Sequence, residues 1–373
     1  EMRGAAMKFG QLLSMDSGQV LPPELSQVLE RLRDNAHQMP STQVTAVLQQ
    51  AWGEQWQSQF RRFDFNPVAA ASIGQVHRAE LHDGERLAIK IQYPGIKRSI
   101  DSDVDNVASL LRLFNLIPPD MNFLPLLQEA KHQLHAEADY LREAQALTRF
   151  SSHTAGDERF VLPEVMESLT TPEVLTMTYL DGQPIEHLSE KPGAERNAAA
   201  AAILELALHE VFDWGFVQTD PNFANYRYQA DHGRIQLLDF GATREYSSQQ
   251  RAALRTLLQA CIDGDGPDIE HAAARAGYLE ATDPRAYRSG IIALLRDATE
   301  PVRAEANYNF ATSDLAERMR DRLVDMRLHN NFWRMPPIGM LFLHRKLGGL
   351  YMLLARLRAT VAVRDLTSGL AAD

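Results

Sequence analysis

At 373 residues, with 45% apolar and 23% charged side chains, the chain has the composition of a globular protein and the length for two lobes plus an extension. A formal net charge of −11 argues against nucleic acid as a partner, which needs clustered cations, and against simple attraction to anionic lipid. Its single cysteine, Cys261, excludes an intramolecular disulfide, and with scattered histidines it offers no zinc-ligand pattern.

Residues 1 to about 66 read as helical, broken at Pro22-Pro23 and Pro40, with one helix from Glu24 to about Ala36. A smaller lobe follows, from about 67 to 180. It opens on Ala69-Ala70-Ala71-Ser72-Ile73-Gly74-Gln75-Val76, turns at His82-Asp83-Gly84, and continues in the strand-like Leu87-Ala88-Ile89-Lys90-Ile91. The second string fits the Val-Ala-Ile-Lys of kinases, whose lysine pairs with nucleotide phosphates. The first fits G-x-G-x-x-G-x-V, with Ala69 and Ala71 where glycines would stand and only Gly74 retained. Alanine's Cβ narrows the backbone's freedom, so a stiffer phosphate loop is expected, with altered nucleotide preference or slower transfer.

Lys90 then needs an acidic partner on a helix. A helical insertion is expected near Asp101 to Leu116, and a helix from Leu124 to Phe150 with a stripe at Leu127, Leu134 and Leu141. That second helix carries Glu137, Asp139 and Glu143. At about 100° per residue, Asp139 and Glu143 share a face, whereas Glu137 points about 120° away from Glu143. Glu143 suits the Lys90 ion pair; the alternative is a solvated acidic face served by Lys131 and Arg142. Strands are expected around Phe160 to Val165 and Val174 to Tyr179. Thr178-Tyr179-Leu180-Asp181-Gly182 reads as the hinge, whose backbone at Tyr179 and Leu180 would face an adenine.

Beyond Gly182 a mainly helical lobe is expected, with a hairpin from Ala224 to Leu238 turning near Asp231-His232-Gly233. Two strings here carry chemistry. Asp220, in Thr219-Asp220-Pro221-Asn222-Phe223-Ala224-Asn225, has an amide five residues on at Asn225; fourteen residues later stands Asp239, in Leu237-Leu238-Asp239-Phe240-Gly241. This is the spacing of a kinase catalytic loop and its metal-binding aspartate. Asp220 would orient the attacking hydroxyl, while Asn225 and Asp239 supply the oxygen ligands that Mg2+ prefers beside ATP.

Two departures from a protein kinase are legible. Gln218-Thr219 replace the His-Arg that precede the catalytic aspartate, removing an arginine able to bind an activation-loop phosphate. After Gly241 the chain runs Ala242-Thr243-Arg244-Glu245-Tyr246-Ser247-Ser248 into a helix near Gln249, with no Ala-Pro-Glu to build a peptide platform. In the last third, Trp333-Arg334-Met335-Pro336-Pro337-Ile338 and His344-Arg345-Lys346 read as closing the large lobe, with a lipid-facing apolar and basic surface as the alternative. No run of 18 uncharged apolar residues occurs, so no membrane-spanning helix is expected.

Taken in order, Lys8-x-Gly10-Gln11, the alanine-rich loop through Val76, Lys90-Ile91-Gln92-Tyr93-Pro94-Gly95, Glu137-x-Asp139-Tyr140, Gln218-Thr219-Asp220-Pro221-Asn222 and Leu238-Asp239-Phe240-Gly241-Ala242-Thr243-Arg244-Glu245 resemble the UbiB family of atypical kinases. These strings run from the N-terminus to beyond Glu245. The resemblance implies an α+β, atypical protein-kinase-like two-lobed fold with a helical N-terminal extension packed over the active site. The expected divisions are residues 1–66 for the extension, 67–180 for the N-lobe with its insertion, and 181–373 for the C-lobe. It also implies that Lys8 and Gln11 approach Glu137, and that Asp220, Lys90 and Glu143 complete the catalytic set.

Nucleotide binding would fall to Ala69, Ala70, Ala71, Ser72, Gly74, Val76, Lys90, Tyr179 and Leu180, with Asn225 and Asp239 on Mg2+. The implied cofactors are ATP and Mg2+. The implied setting is coenzyme Q or related isoprenoid-lipid metabolism, through ATP hydrolysis or small-molecule phosphorylation more than protein phosphorylation. Expected partners are ATP and ADP, a quinone-precursor or isoprenoid lipid, lipid-biosynthesis proteins and a peripheral membrane contact, in the cytoplasm or on the mitochondrial matrix side. The chain begins at Glu1 within the motif-bearing segment, so further sequence upstream is expected.

Overall fold

The computed structural model describes residues 38–71, 73–113, 124–263, 265–328 and 336–368. Lys8, Gln11, Ser72, the expected helix from Glu24 to Ala36, and Trp333 to Met335 lie outside the described residues. The chain divides into two compact units, crossing between them at Gly182/Gln183, Ile235/Gln236 and Ala242/Thr243. Residues 236–242, which include Asp239-Phe240-Gly241, thus belong with the first unit.

The first unit is built on an antiparallel sheet. Helix α1 (Ser41–Trp52) leads to strands β1 (Phe60–Phe63), β2 (Ala69–Ala70), β3 (Gly74–Leu81) and β4 (Arg86–Gln92). The long helices α2 (Ile96–Leu113), α3 (Leu124–Glu137) and α4 (Tyr140–His153) come next, then β5 (Phe160–Val161) and β6 (Val174–Thr178). The strand order is β1-β3-β4-β6, with β2 also on β3.

In β4 the β-branched alternation sends Leu87, Ile89 and Ile91 to one face, where they pack with Val44, Leu48, Trp56 and Phe60. Each such side chain, fully removed from water, contributes roughly 2 kcal/mol. Period two then turns Lys90 to the other face. Its cross-strand partners are Val76 and Leu175, and side chains directly opposite share a face.

Two expectations are corrected in this unit. Residues 60–63 are a strand, although all of 1–66 is expected to be helical: Phe60 and Phe63 pair through β1 with Leu81 and Ala79 of β3 and join an aromatic cluster around Trp56. The helix expected from Leu124 to Phe150 is two helices. The break falls at Ala138-Asp139, where Asp139 leaves helical geometry (φ −123°, ψ 91°) and its carboxylate accepts from Arg142 N at 3.3 Å as the N-cap of α4. The angular comparison of Glu137 with Glu143 therefore has no single axis to refer to. The stripe also shifts: Leu127 and Leu134 are buried, but Leu141 is 41% exposed, and α4 turns Tyr140, Glu143, Leu147 and Phe150 inward instead.

The second unit begins with β7 (Gln183–Pro184) and α5 (Gly193–Leu208), which widens into a π-turn at His209–Trp214. It continues through β8 (Phe216–Gln218), β9 (Tyr226–Gln229), β10 (Arg234–Leu237), where the chain leaves it, and β11 (Thr243–Glu245), which pairs antiparallel with β8. Helices α6 (Ser248–Asp263), α7 (Gly266–Arg275), α8 (Arg285–Ala298), the single turn α9 (Glu300–Arg303) and α10 (Leu315–Leu328) follow. Strands β12 (Tyr308–Asn309) and β13 (Thr360–Val361), helix α11 (Ile338–Arg356) and α12 (Val363–Thr367) complete it. A core of Val217, Leu254, Leu257, Cys261, Ile269, Ala273, Leu294 and Leu343 ties these helices together.

Among the described residues, α11 alone has the length and mean hydropathy to cross a membrane, though Arg345 and Lys346 interrupt it, so it is no uncharged apolar run; half of it is buried. Its Arg345 and Lys346 are turned inward, 8% and 2% exposed, so its apolar character serves packing.

Candidate functional site

In the first unit the sheet, α4 and the Asp239 turn bring three charged groups together. Lys90 Nζ donates to Glu143 Oε1 at 2.6 Å and to Asp239 Oδ2 at 3.0 Å. Strand alternation turns Lys90 off the apolar face, and Glu143 meets it because it occupies the inward stripe of α4 between Tyr140 and Leu147. The Asp-Phe-Gly turn is held by that same helix. Phe240 lies 4.8 Å from the Phe150 ring, Arg142 Nη1 donates to Gly241 O at 3.2 Å, and Gly241 N donates to Asp239 Oδ1 at 3.0 Å.

Charge is finely weighed here. Burial works against the Lys90 ammonium, but Asp239 and Glu143 outweigh it and hold its pKa above the ordinary lysine value. Burial pushes the Glu143 carboxyl up to about 7, against the pull of Lys90, and Asp239 adds to the rise. One ammonium thus faces two carboxyl groups, and the Asp239 side chain is the exposed member, at 34%.

The loop that precedes β3 is a hairpin arm. Ala69 pairs with Val76 and Ala70 with Gln75, and Ala71 N donates to Gly74 O at 2.9 Å. Ala69 and Ala70 are exposed, Ala71 and Val76 half-buried. A Cβ on Gly74 would stand 2.2 Å from Ile91 O, so the strands close only around glycine there. That same point is 3.0 Å from the Tyr140 hydroxyl, which is buried without a hydrogen-bond partner. Burial pushes the Tyr140 phenol up, Lys90 opposes this, and Glu143, Asp239 and Glu137 add to it. Glu137 itself is buried at the end of α3.

At the expected hinge, Tyr179 N donates to Arg86 O at 2.8 Å and its ring lies under the Arg78 guanidinium at 4.4 Å. The Tyr179 N–H is thus engaged by β4, and the adenine-facing expectation concerns the Tyr179 carbonyl and the Leu180 backbone.

In the second unit, Asp220 and Asn225 meet as their spacing leads one to expect: Asn225 Nδ2 donates to Asp220 Oδ2 at 3.1 Å. The other carboxylate oxygen carries a contact that the sequence reading missed. Arg345 Nη2, from α11, donates to Asp220 Oδ1 at 2.7 Å. Next to it Lys346 Nζ donates to Glu210 Oε1 at 3.0 Å, while Glu210 Oε2 accepts from Gln218 N at 2.8 Å. Burial raises Glu210 against the pull of Lys346; Lys346 itself stays charged, because Glu210 outweighs its burial. Arg345 and Lys346 thus face into the lobe, in keeping with the closing role expected of His344-Arg345-Lys346 and against the alternative of a lipid-facing surface. Nothing local in the sequence signals these pairs, since 125 residues separate Arg345 from Asp220.

Each unit carries a hard oxygen donor. In the second, Asn225 spends its Nδ2 on Asp220, which directs its carbonyl oxygen elsewhere; in the first, the Asp239 carboxylate is partly exposed. Hard oxygen donors of this kind suit Mg2+ bound together with phosphate oxygens.

A strand lysine paired to a helix glutamate and an Asp-Phe-Gly aspartate, with a separate Asp-x4-Asn loop, defines a protein-kinase-like fold. Residues 31–273 match the ABC1 atypical kinase-like domain, and the chain belongs to that family, the UbiB family of the sequence resemblance. It is 36% identical over 365 residues to "Atypical kinase coq-8, mitochondrial" of Caenorhabditis elegans, covering 97% of this chain and 48% of that protein. It is 35% identical over 368 residues to "Atypical kinase COQ8, mitochondrial" of Saccharomyces cerevisiae, covering 97% and 72%. To "Atypical kinase COQ8B, mitochondrial" of Rattus norvegicus it is 36% identical over 365 residues, covering 98% and 69%. The chain therefore spans between about half and three quarters of the length of these relatives. Among solved structures it resembles Rv3197 of Mycobacterium tuberculosis, solved as a complex with erythromycin, with a TM-score of 0.70, 23% identity and coverage of 98% and 92%; that likeness concerns the fold.

Proposed function

We propose that this chain is a Mg-ATP-dependent atypical kinase or ATPase supporting ubiquinone (coenzyme Q) or related isoprenoid-lipid metabolism. The observation that carries the reading is the Lys90–Glu143–Asp239 cluster, a buried ammonium aimed at the carboxylate that a kinase uses to hold metal. Lys90 would pair with nucleotide phosphates beneath the loop of Ala69, Ala70, Ala71, Ser72, Gly74 and Val76, with Tyr179 and Leu180 at the adenine. Asp239 and Asn225 would hold Mg2+, which neutralises phosphate charge when bound. Asp220 would orient the attacking hydroxyl or water, and Lys8 and Gln11 would bear on Glu137 from the N-terminal extension.

Protein phosphorylation in trans is disfavoured. Between Gly241 and the start of α6 at Ser248 lie only six residues, three of which are committed to β11. That leaves no length for a peptide-binding activation segment. A mitochondrial address and a coenzyme Q setting are supported by the names of the relatives; the isoprenoid-lipid alternative and a peripheral membrane contact rest on the family resemblance.

The test is ADP release with and without Mg2+, quinone-precursor-like phenols and anionic vesicles. Mg-dependent release, raised by phenol or lipid and abolished in Asp239→Asn, is the expected outcome. Full turnover in Asp239→Asn would overturn the mechanism. Tight ATP binding with hydrolysis at background throughout would instead make the chain a nucleotide-binding scaffold.

A further inference from the structure

A protein kinase places a histidine and an arginine immediately before its catalytic aspartate. Here Gln218 and Thr219 stand in those positions, both buried, with the Gln218 backbone N–H tied to Glu210. Neither can supply a cation to Asp220. The structure supplies one from the far end of the chain. Arg345 reaches Asp220 Oδ1 at 2.7 Å, with side chains 6% and 20% exposed respectively.

Two neighbours on α11 make this more than a chance contact. Lys346 is bonded to Glu210, whose other oxygen holds the backbone at Gln218, two residues before Asp220. Gly349, one turn beyond Arg345, lies against Pro221, the residue after Asp220: a Cβ on Gly349 would stand 2.0 Å from Pro221 Cβ. Helix α11 therefore grips the Asp220 loop before, at and after the carboxylate. With Arg345 on Oδ1 and Asn225 on Oδ2, the carboxylate plane is fixed at both oxygens.

We propose that Arg345 is a positioning residue for Asp220, fixing the carboxylate in the orientation that aligns the attacking oxygen, and that α11 replaces the missing His-Arg as the support of the catalytic loop. The proposal rests on the functional reading given above. Its chemical sense follows from the loose transition state of phosphoryl transfer, which demands alignment more than proton abstraction. An orienting carboxylate allowed to swing by about 1 Å costs on the order of 100-fold in rate.

The test combines kcat for ADP release with a separate titration of the Mg-ADP dissociation constant. Arg345→Met is expected to lower kcat about 100-fold with the dissociation constant within about 2-fold of the parent. Arg345→Lys should recover part of the loss, since a point charge restores attraction but not the planar fork. The double variant Asp220→Asn/Arg345→Met should be no slower than Asp220→Asn alone, because Arg345 acts through that carboxylate. It also removes both charges, so it serves if the single variant fails to fold. Gly349→Ala, which pushes on Pro221 without changing charge, should reproduce the kcat loss.

Asp220→Asn inactive but Arg345→Met fully active would overturn this inference alone. So would equal losses of kcat and nucleotide affinity in Arg345→Met, or a double variant markedly slower than Asp220→Asn. Full turnover in Asp220→Asn would overturn the role given to Asp220, and with it the support given to Arg345.

Discussion

Lys90 and Glu143 hold each other at 2.6 Å across 53 residues of sequence, with side chains only 7% and 5% exposed. A buried pair of this kind matters less for stability than for what its loss exposes. In Glu143→Gln the ammonium keeps Asp239 and loses its nearer partner. Turnover should fall at least 10-fold, and urea unfolding should show a loss of about 3 kcal/mol. The double variant Lys90→Met/Glu143→Leu should regain most of that stability while remaining inactive. If the double variant is as unstable as the single one, the cost lies in packing and not in the stranded charge.

Gly74 and Ala71 sit three residues apart in the same arm and should respond oppositely to a change of one methyl. Gly74→Ala sets a Cβ against the Ile91 carbonyl, which belongs to the sheet backbone and cannot swing aside. A loss of about 3 kcal/mol is expected by denaturant titration. Ala71→Gly adds freedom to the turn closed by Ala71 N and Gly74 O. Its expected effect is a changed ratio of ATP to ADP affinity, read by equilibrium titration; unaltered affinities would remove the role given to the alanines.

Tyr140 carries a buried hydroxyl without a partner, a group that is costly to keep dry. Tyr140→Phe should leave stability unchanged or raise it by up to about 1 kcal/mol in the nucleotide-free protein. A clear loss of stability would mean that the hydroxyl is hydrogen-bonded in solution.

His344 gives a pH dependence. Burial lowers its pKa to about 4, and its Nε2 lies 2.6 Å from the Tyr278 hydroxyl. Between pH 6.5 and about 4 the unfolded chain takes up a proton that the folded chain refuses. Stability from this site is therefore complete above pH 6.5 and is lost as pH falls through that window, at up to about 1.4 kcal/mol per unit. Thermal unfolding of His344→Gln should show a shallower fall than the parent over the same range. Parallel curves would show that other groups set the acid limit.

Much of the candidate site was legible because its signals are local. The β4 alternation around Lys90, the five-residue step from Asp220 to Asn225 and the Asp-Phe-Gly turn are each written within one element, where period and turn chemistry act. The split at Asp139 was harder. Helical spacing runs straight through it in the sequence, and only the cap made by its carboxylate, with Tyr140 N turned to Pro172 O, ends one helix and starts another. The misplaced stripe has the same origin: a new axis begins at Tyr140, so Leu141 faces water and Glu143 faces the sheet.

By itself the sequence determined which residue types stand at short spacing: the lysine strand, Asp220 with Asn225 and Asp239, the alanines before Gly74 and the short run from Gly241 to the next helix. Those are choices of residue type at short spacing, and short spacing survives translation into structure. Only the tertiary structure decided which distant charges meet. Arg345 finds Asp220, Lys346 finds Glu210, and Gly349 admits Pro221 because α11 is packed into the core of its unit, where an ammonium or guanidinium removed from water must be paired with a carboxylate.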